Sequence, residues 1–165
     1  MSTREVQNKA IVRKFGERMN AQDVEGALAH FSPSFVDHAV RPGMPPGIER
    51  TRLFFNMPFK AFPDLHATIQ DSIAEGDKVV DRMTCEGTHH GMFMGAPLTG
   101  KRVKWSFIDI NRSVDGKVIE HWEEVDTTSI MQQLGLVPPP SGRLSKRQIG
   151  AMNRKSMFSS QGVVG

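Results

Sequence analysis

A chain of 165 residues with 38% hydrophobic content is long enough to bury one substantial core and short enough to be a single domain. Its basic pI of about 9.2 comes from one end. Arg143, Lys146, Arg147, Arg154 and Lys155 are the only charged residues from Val137 onward, and taking those five from the formal +3 leaves −2 on residues 1–136. A nearly neutral body argues against a nucleic-acid-binding core, which would carry its basic footprint on the domain itself, and no apolar run nears the ~20 residues of a membrane span.

The N-terminal MSTREVQNKAIVRKF is charged and has no apolar stretch of a signal peptide's kind. With one cysteine, Cys85, no internal disulfide can form, and a cytoplasmic location is the expectation. Residues 3–20 fit a first helix, with Val6, Ala10, Phe15 and Met19 recurring among charges. Asp23 is the candidate N-cap of a short helix from Val24 to His30, which ends before Ser32-Pro33. Phe35–His38 reads as a brief strand, and the stiff Arg41–Gly47 segment that follows suits a connector, a rim or a lid. Ile48–Phe62 is helical in pattern, with Pro58 expected to kink or divide it.

After Pro63-Asp64 the texture changes to strands: His66–Ala74, Lys78–Thr88, Val103–Arg112 and Lys117–Asp126. Gly76 and Asp115-Gly116 mark tight antiparallel hairpins, and a longer loop spans 91–101. A last helix runs from about Thr127 to Leu134, capped by Asp126 or Thr127 and stopped by Gly135. The chain divides into a domain over 1–136 and a linker with a basic tail over 137–165, expected to be flexible, with a weak helical pattern near 144–154. Helices first and antiparallel strands after them make an α+β pattern. A curved sheet closing over the helices would leave an apolar pocket between the layers.

The 87–126 stretch concentrates the chemistry. Residues two apart on a strand share a face, so Trp105, Phe107 and Asp109 point one way, and Ile119, His121, Glu123 and Val125 form a similar stripe on the next strand. Aromatic and apolar residues interleaved with carboxylates and a histidine make poor core and poor surface, but a serviceable lining for a pocket holding acid/base groups. A carboxylate buried between Ile108 and Ile110 is costly unless paired. Asp109 is therefore paired with His121 or Arg82, or it is functional. His121 suits either a structural hydrogen bond or the orienting of a carboxylate. Trp105 and Phe107 read as core residues that could also stack on a ligand, and Cys85 as a small packed residue rather than a nucleophile. There is no HExxH or Cys/His cluster of zinc spacing, no Gly-x-Ser-x-Gly elbow, no phosphate loop and no dinucleotide fingerprint.

Ordered blocks over about 130 positions give the chain a family likeness. They are Asn8-Lys9-Ala10, Phe35-Val36-Asp37-His38, Ala61-Phe62-Pro63-Asp64-Leu65, Glu75-Gly76-Asp77-Lys78-Val79-Val80, Gly87-Thr88-His89 and Gly91-Met92-Phe93-Met94-Gly95. Thr99–Val103, Ile108-Asp109-Ile110, Asp115–Trp122 and Gln133-Leu134-Gly135 complete the set. In these the chain resembles the SnoaL-like polyketide cyclases of the nuclear transport factor two-like superfamily. The resemblance implies a cone-shaped, mostly antiparallel sheet wrapped over N-terminal helices. It also implies ring closure by intramolecular aldol condensation without metal or organic cofactor, and a homodimer joined through an exposed sheet face.

By position it puts the last-strand acid at Glu123, the assisting polar residue at Asp109, a pocket polar residue at Asp37 and the Gly-x-His histidine at His89. The chain departs from the type member in having Glu rather than Asp at 123, Asp rather than His at 109, and Phe107 where the type member is polar. The expected function is thus a cofactor-independent cyclase or isomerase. Glu123, Asp109 and His121 do the acid/base work on a small apolar carbonyl compound, and Asp37, His89, Trp105 and Phe107 hold it. A hydrophobic-ligand-binding or dimeric scaffold protein, or a hydrolase activating water in the same pocket, are the alternatives. Nucleic acid and membrane are not expected partners.

Overall fold

The computed structural model describes residues 2–138 except 40–42, 44 and 46. Its elements are α1 (Thr3–Asn20), α2 (Val24–Leu28), β1 (Phe31–Asp37), α3 (Ile48–Ala61), β2 (His66–Glu75), β3 (Lys78–Thr88), β4 (Arg102–Val114), β5 (Lys117–Val125) and α4 (Thr127–Leu134). The helix starts follow from local chemistry. Ser2 and Glu5 form a reciprocal capping box on α1, Asp23 accepts from the Gly26 amide, and Asp126 accepts from the Ser129 amide. Gly135 closes α4 in the left-handed conformation at φ +85°.

Pro58 does not divide α3, which continues to Ala61. A proline removes one amide donor, and here the loss falls in the last turns, while the Phe62 amide still donates to the Pro58 carbonyl at 2.7 Å. The Arg41–Gly47 segment lies largely outside the described residues, and so does the basic tail with its 144–154 pattern.

The five strands form one sheet in the order β1-β5-β4-β3-β2. Every neighbour is antiparallel except β1, which lies parallel to β5 on the edge. β1 begins at Phe31, four residues earlier than the sequence suggests. Its Pro33 falls inside a register irregularity between Phe31 and Val36, a place where a strand tolerates a residue without an amide donor. Asp115 and Gly116, both at positive φ (49° and 77°), make the two-residue turn that matches strand twist between β4 and β5.

A second irregularity corrects the expected β5 stripe. Arg112 pairs with Glu120 but Ser113 with Val118, so Ile119 is an extra residue in the ladder. Val118, not Ile119, is the fully buried neighbour of His121 on the inner face.

Helices and sheet enclose two apolar clusters. Phe15, Leu28, Phe31, Phe35, Phe55 and Val118 pack α1–α3 against the β1 edge. Phe62, Cys85, Val103, Trp105, Ile130 and Leu134 pack the start of β4 against α4. Among the described residues no helix is long and apolar enough to cross a membrane.

Candidate active site

A cavity of about 180 Å³ lies between α1, α3 and the inner face of the sheet. Its wall is mostly aromatic and aliphatic: Phe15, Phe54, Phe93, Trp105 and Phe107 contribute rings, and Met19 and Met83 fill the gaps. Against that wall stand four ionisable groups besides Cys85: Asp81, Asp109, His121 and Glu123. Strand register explains their grouping. Asp81 on β3 pairs with Asp109 on β4, which pairs with Glu123 on β5, so three carboxyls lie in one row across the sheet. The next row is Val79, Asn111, His121 and Asp37.

His121 is the pivot. Its Nδ1 lies 3.2 Å from Asp37 Oδ1, a hydrogen bond with both side chains buried. Its Nε2 lies 3.7 Å from Asp109 Oδ1, an ion-pair contact rather than a hydrogen bond. The backbone holds the ring's origin as well, since the His38 amide donates to the His121 carbonyl at 2.8 Å. Burial by itself would lower the imidazole's proton affinity. The carboxylates of Asp109 and Asp37 outweigh it and push His121 up to about 10, so the ring is an imidazolium at neutral pH. For Asp37, burial acts to raise its proton affinity. The hydrogen bond and charge of His121, with the Ala39 amide donating at 3.0 Å, overcome that and hold the carboxyl below its ordinary range.

Asp109, His121 and Glu123 offer atoms that all lie within 4.8 Å of one another. A cation bridging them would displace the proton that His121 carries. Asp109 is 5% exposed and its Oδ1 has no hydrogen-bond partner among the described residues. An acceptor so placed at a cavity wall can take a proton from, or orient, a bound molecule. Cys85 also faces the cavity, and burial, with Glu123 and Asp109 nearby, pushes its thiol up to about 12. It is inert as a nucleophile.

The structure brings Asp109, His121, Glu123, Trp105 and Phe107 onto the cavity wall together. Asp37 stands behind His121 instead of on the wall. His89 is fully buried elsewhere, its Nδ1 3.0 Å from Thr99 Oγ1 and its ring against Phe62 at 5.3 Å. It fastens the end of β3 to the 91–101 loop, whose Gly100 amide donates to its carbonyl, and its neighbour His90 faces solvent. Arg82, the other candidate partner of Asp109, points outward and pairs with Asp71.

Asp81 is the cavity residue that sequence reasoning misses. Its signal is the alternation Val79, Asp81, Met83, Cys85, which puts a carboxyl on the apolar face of β3.

A curved sheet folded over helices around an apolar cavity, with carboxyls and a charged histidine on its inner strands, defines an α+β cone fold of the nuclear transport factor two-like kind. The chain belongs to the SnoaL-like polyketide cyclase family, whose model matches residues 9–134. It is similar to AclR from Streptomyces galilaeus, described as a candidate hydroxylase, at 33% identity over 81% of this chain and 99% of that one, with a TM-score of 0.73. IdmH from Streptomyces antibioticus, a candidate polyketide cyclase, is 31% identical over 78% of this chain and 99% of its own, with a TM-score of 0.68. A candidate SnoaL-like polyketide cyclase from Jannaschia sp. CCS1 is 28% identical over 85% and 98%, with a TM-score of 0.73. No functionally curated protein matches the chain.

Proposed function

We propose that the protein is an acid/base catalyst that removes a proton alpha to the carbonyl of a small apolar compound and promotes ring closure or isomerisation. The observation that supports this is the convergence of Asp109, Glu123 and the imidazolium of His121 on one wall of an otherwise apolar cavity. Glu123 or Asp109 takes the proton. Against an apolar wall, charge interactions are stronger than they are in water. His121, fixed by Asp37, keeps one positive charge beside the reacting carboxylates. In an aldol-type closure the enolate carbon attacks a second carbonyl of the same molecule, and the proton returns to the new alkoxide. Protons only change places among these side chains and the substrate, so the reading asks for no cofactor.

The test is deuterium exchange at the alpha carbons of a panel of mono- and bicyclic ketones in heavy water, followed by NMR. Glu123→Gln and Asp109→Asn should each slow exchange by about 10²–10⁴-fold. Exchange left intact by both substitutions sinks the assignment. A wild type that binds the ketones without exchanging them, with affinity indifferent to both amides, identifies a binding protein instead.

We also propose that the chain pairs with a second copy through the outer sheet face. There Val36 and Ile108 are exposed beside the stacked His38 and Trp122 rings. Sedimentation as a monomer at micromolar concentration would count against this.

A further inference from the structure

Asp81 is 1% exposed, lines the cavity, and has an Oδ1 with no hydrogen-bond partner among the described residues. It faces Asp109 across the β3–β4 ladder and Ser72 across the β2–β3 ladder, with the charges of Lys9 and Arg13 on α1 beyond. Two directly opposed carboxyls in an apolar enclosure cannot both ionise cheaply. Of the two, Asp109 has the imidazolium of His121 3.7 Å away, whereas Asp81 makes no ion pair among the described residues; Lys9, whose ammonium donates to the Ser72 carbonyl at 2.7 Å, acts on it only from a distance. A proton shared by the two is therefore favoured on Asp81. Its proton affinity is indeed raised, by burial first and further by Asp109, against the lowering influence of Ser72, Lys9 and Arg13.

We propose that Asp81 is a further catalytic residue: a neutral carboxylic acid that donates a hydrogen bond to the substrate oxygen on which negative charge develops. The proposal rests on the acid/base reading above and supplies what that reading lacks, an oxyanion donor. Register gives the right reach. Asp81 and Glu123 are two strand spacings apart, about 10 Å between backbones, with Asp109 between them. A donor oxygen, a carbonyl, its alpha carbon and a base oxygen in contact span roughly 8 Å when extended. A carbonyl compound lying along the row can thus meet Asp81 at its oxygen and a carboxylate at its alpha carbon. A neutral acid is the right donor for an enolate in such a place, since an apolar site keeps it protonated and a hydrogen bond to an anion is stronger than one to a ketone.

The test uses 4-nitrophenol, whose coloured phenolate stands in for an enolate. Phenolate binding at pH 8 should weaken by about 10- to 100-fold in Asp81→Leu and stay within about threefold of wild type in Asp81→Asn, which keeps a donor. Unchanged binding in Asp81→Leu, or a wild type that binds no phenolate, overturns the proposal. Infrared difference spectroscopy of wild type against Asp81→Asn at pH 7 needs no leucine variant. It should show the carbonyl stretch of a neutral carboxylic acid, and its absence also overturns the proposal. Neither readout requires proton exchange, so a failed base assignment at Glu123 and Asp109 is recognised separately.

Discussion

The charge on His121 makes the pH dependence of stability the sharpest probe of this site. An imidazole raised from 6.5 to about 10 contributes up to about 5 kcal/mol to the fold, since each unit of displacement is worth about 1.4 kcal/mol. The folded-state value lies above the unfolded one. That stability is therefore fully present below about pH 6.5, falls by up to about 1.4 kcal/mol per pH unit above it, and is gone beyond about pH 10. Asp37→Asn keeps the side-chain size and removes one of the two carboxylates, leaving Asp109 as the remaining partner at 3.7 Å.

Loss of one close carboxylate lowers the imidazole by about one to two units, which at pH 7 is a destabilisation of about 2 kcal/mol relative to wild type. The gap closes as both proteins are carried past pH 10. Urea unfolding at half-unit intervals from pH 6 to 10 measures both curves. With a denaturant slope of about 1–3 kcal/mol per molar, 2 kcal/mol moves the midpoint by about 1 M. Wild-type and variant curves that run parallel across the window, or a His121 NMR titration near 6.5 in wild type, would refute the reasoning. At the acid end Asp37, held below its ordinary 3.8, adds stability that is present above that value and lost as the pH falls through its folded value.

Phe62 is fully buried against Trp105 and Phe93, with ring centroids at 5.3 and 5.1 Å. Phe62→Ala should cost about 3–5 kcal/mol in chemical denaturation, and a loss below about 1 kcal/mol would show that the α4 side of the core collapses to fill the gap. A Cβ at Gly91 would sit 2.1 Å from the Lys60 carbonyl oxygen. Gly91→Ala should therefore destabilise by about 1–3 kcal/mol and speed hydrogen exchange at the His90 amide, which donates to the Ala61 carbonyl; unchanged exchange contradicts the close approach. Cys85, with its thiol near 12 and facing the cavity, should resist iodoacetamide at pH 8 in the folded protein and react on unfolding in urea. Fast alkylation of the native state would mean the cavity is wet.

Family membership supports a cyclase- or isomerase-type role without choosing a mechanism or a substrate. One fold hosts many reactions, and function resides in the site built on it. The wall of this cavity differs from a plain apolar pocket by its carboxyl row and its charged histidine, and those features direct the experiments above.

The amino-acid sequence alone determined the order and type of the elements. Helix and strand periods, the caps at Asp23 and Asp126, the Asp115-Gly116 turn and the stop at Gly135 are all local, set by residues within a few positions of each other. Two-residue alternation likewise suffices to put Trp105, Phe107 and Asp109 on one face. Beyond its reach are relations between segments distant in the chain.

Sequence spacing could not reveal the parallel pairing of β1 that carries Asp37 to His121, 84 residues away. Nor could it reveal the extra residue at Ile119 that exchanges Val118 for Ile119 on the inner face, or the register that sets Asp81, Asp109 and Glu123 in one row. A one-residue slip in any ladder would send these side chains to the other face. His89 shows the same limit, because its motif was legible but its place beside Phe62 depended on how the 91–101 loop folds back. Register is decided by burying one face of the whole sheet against the helices at once, a global energy that no local pattern contains.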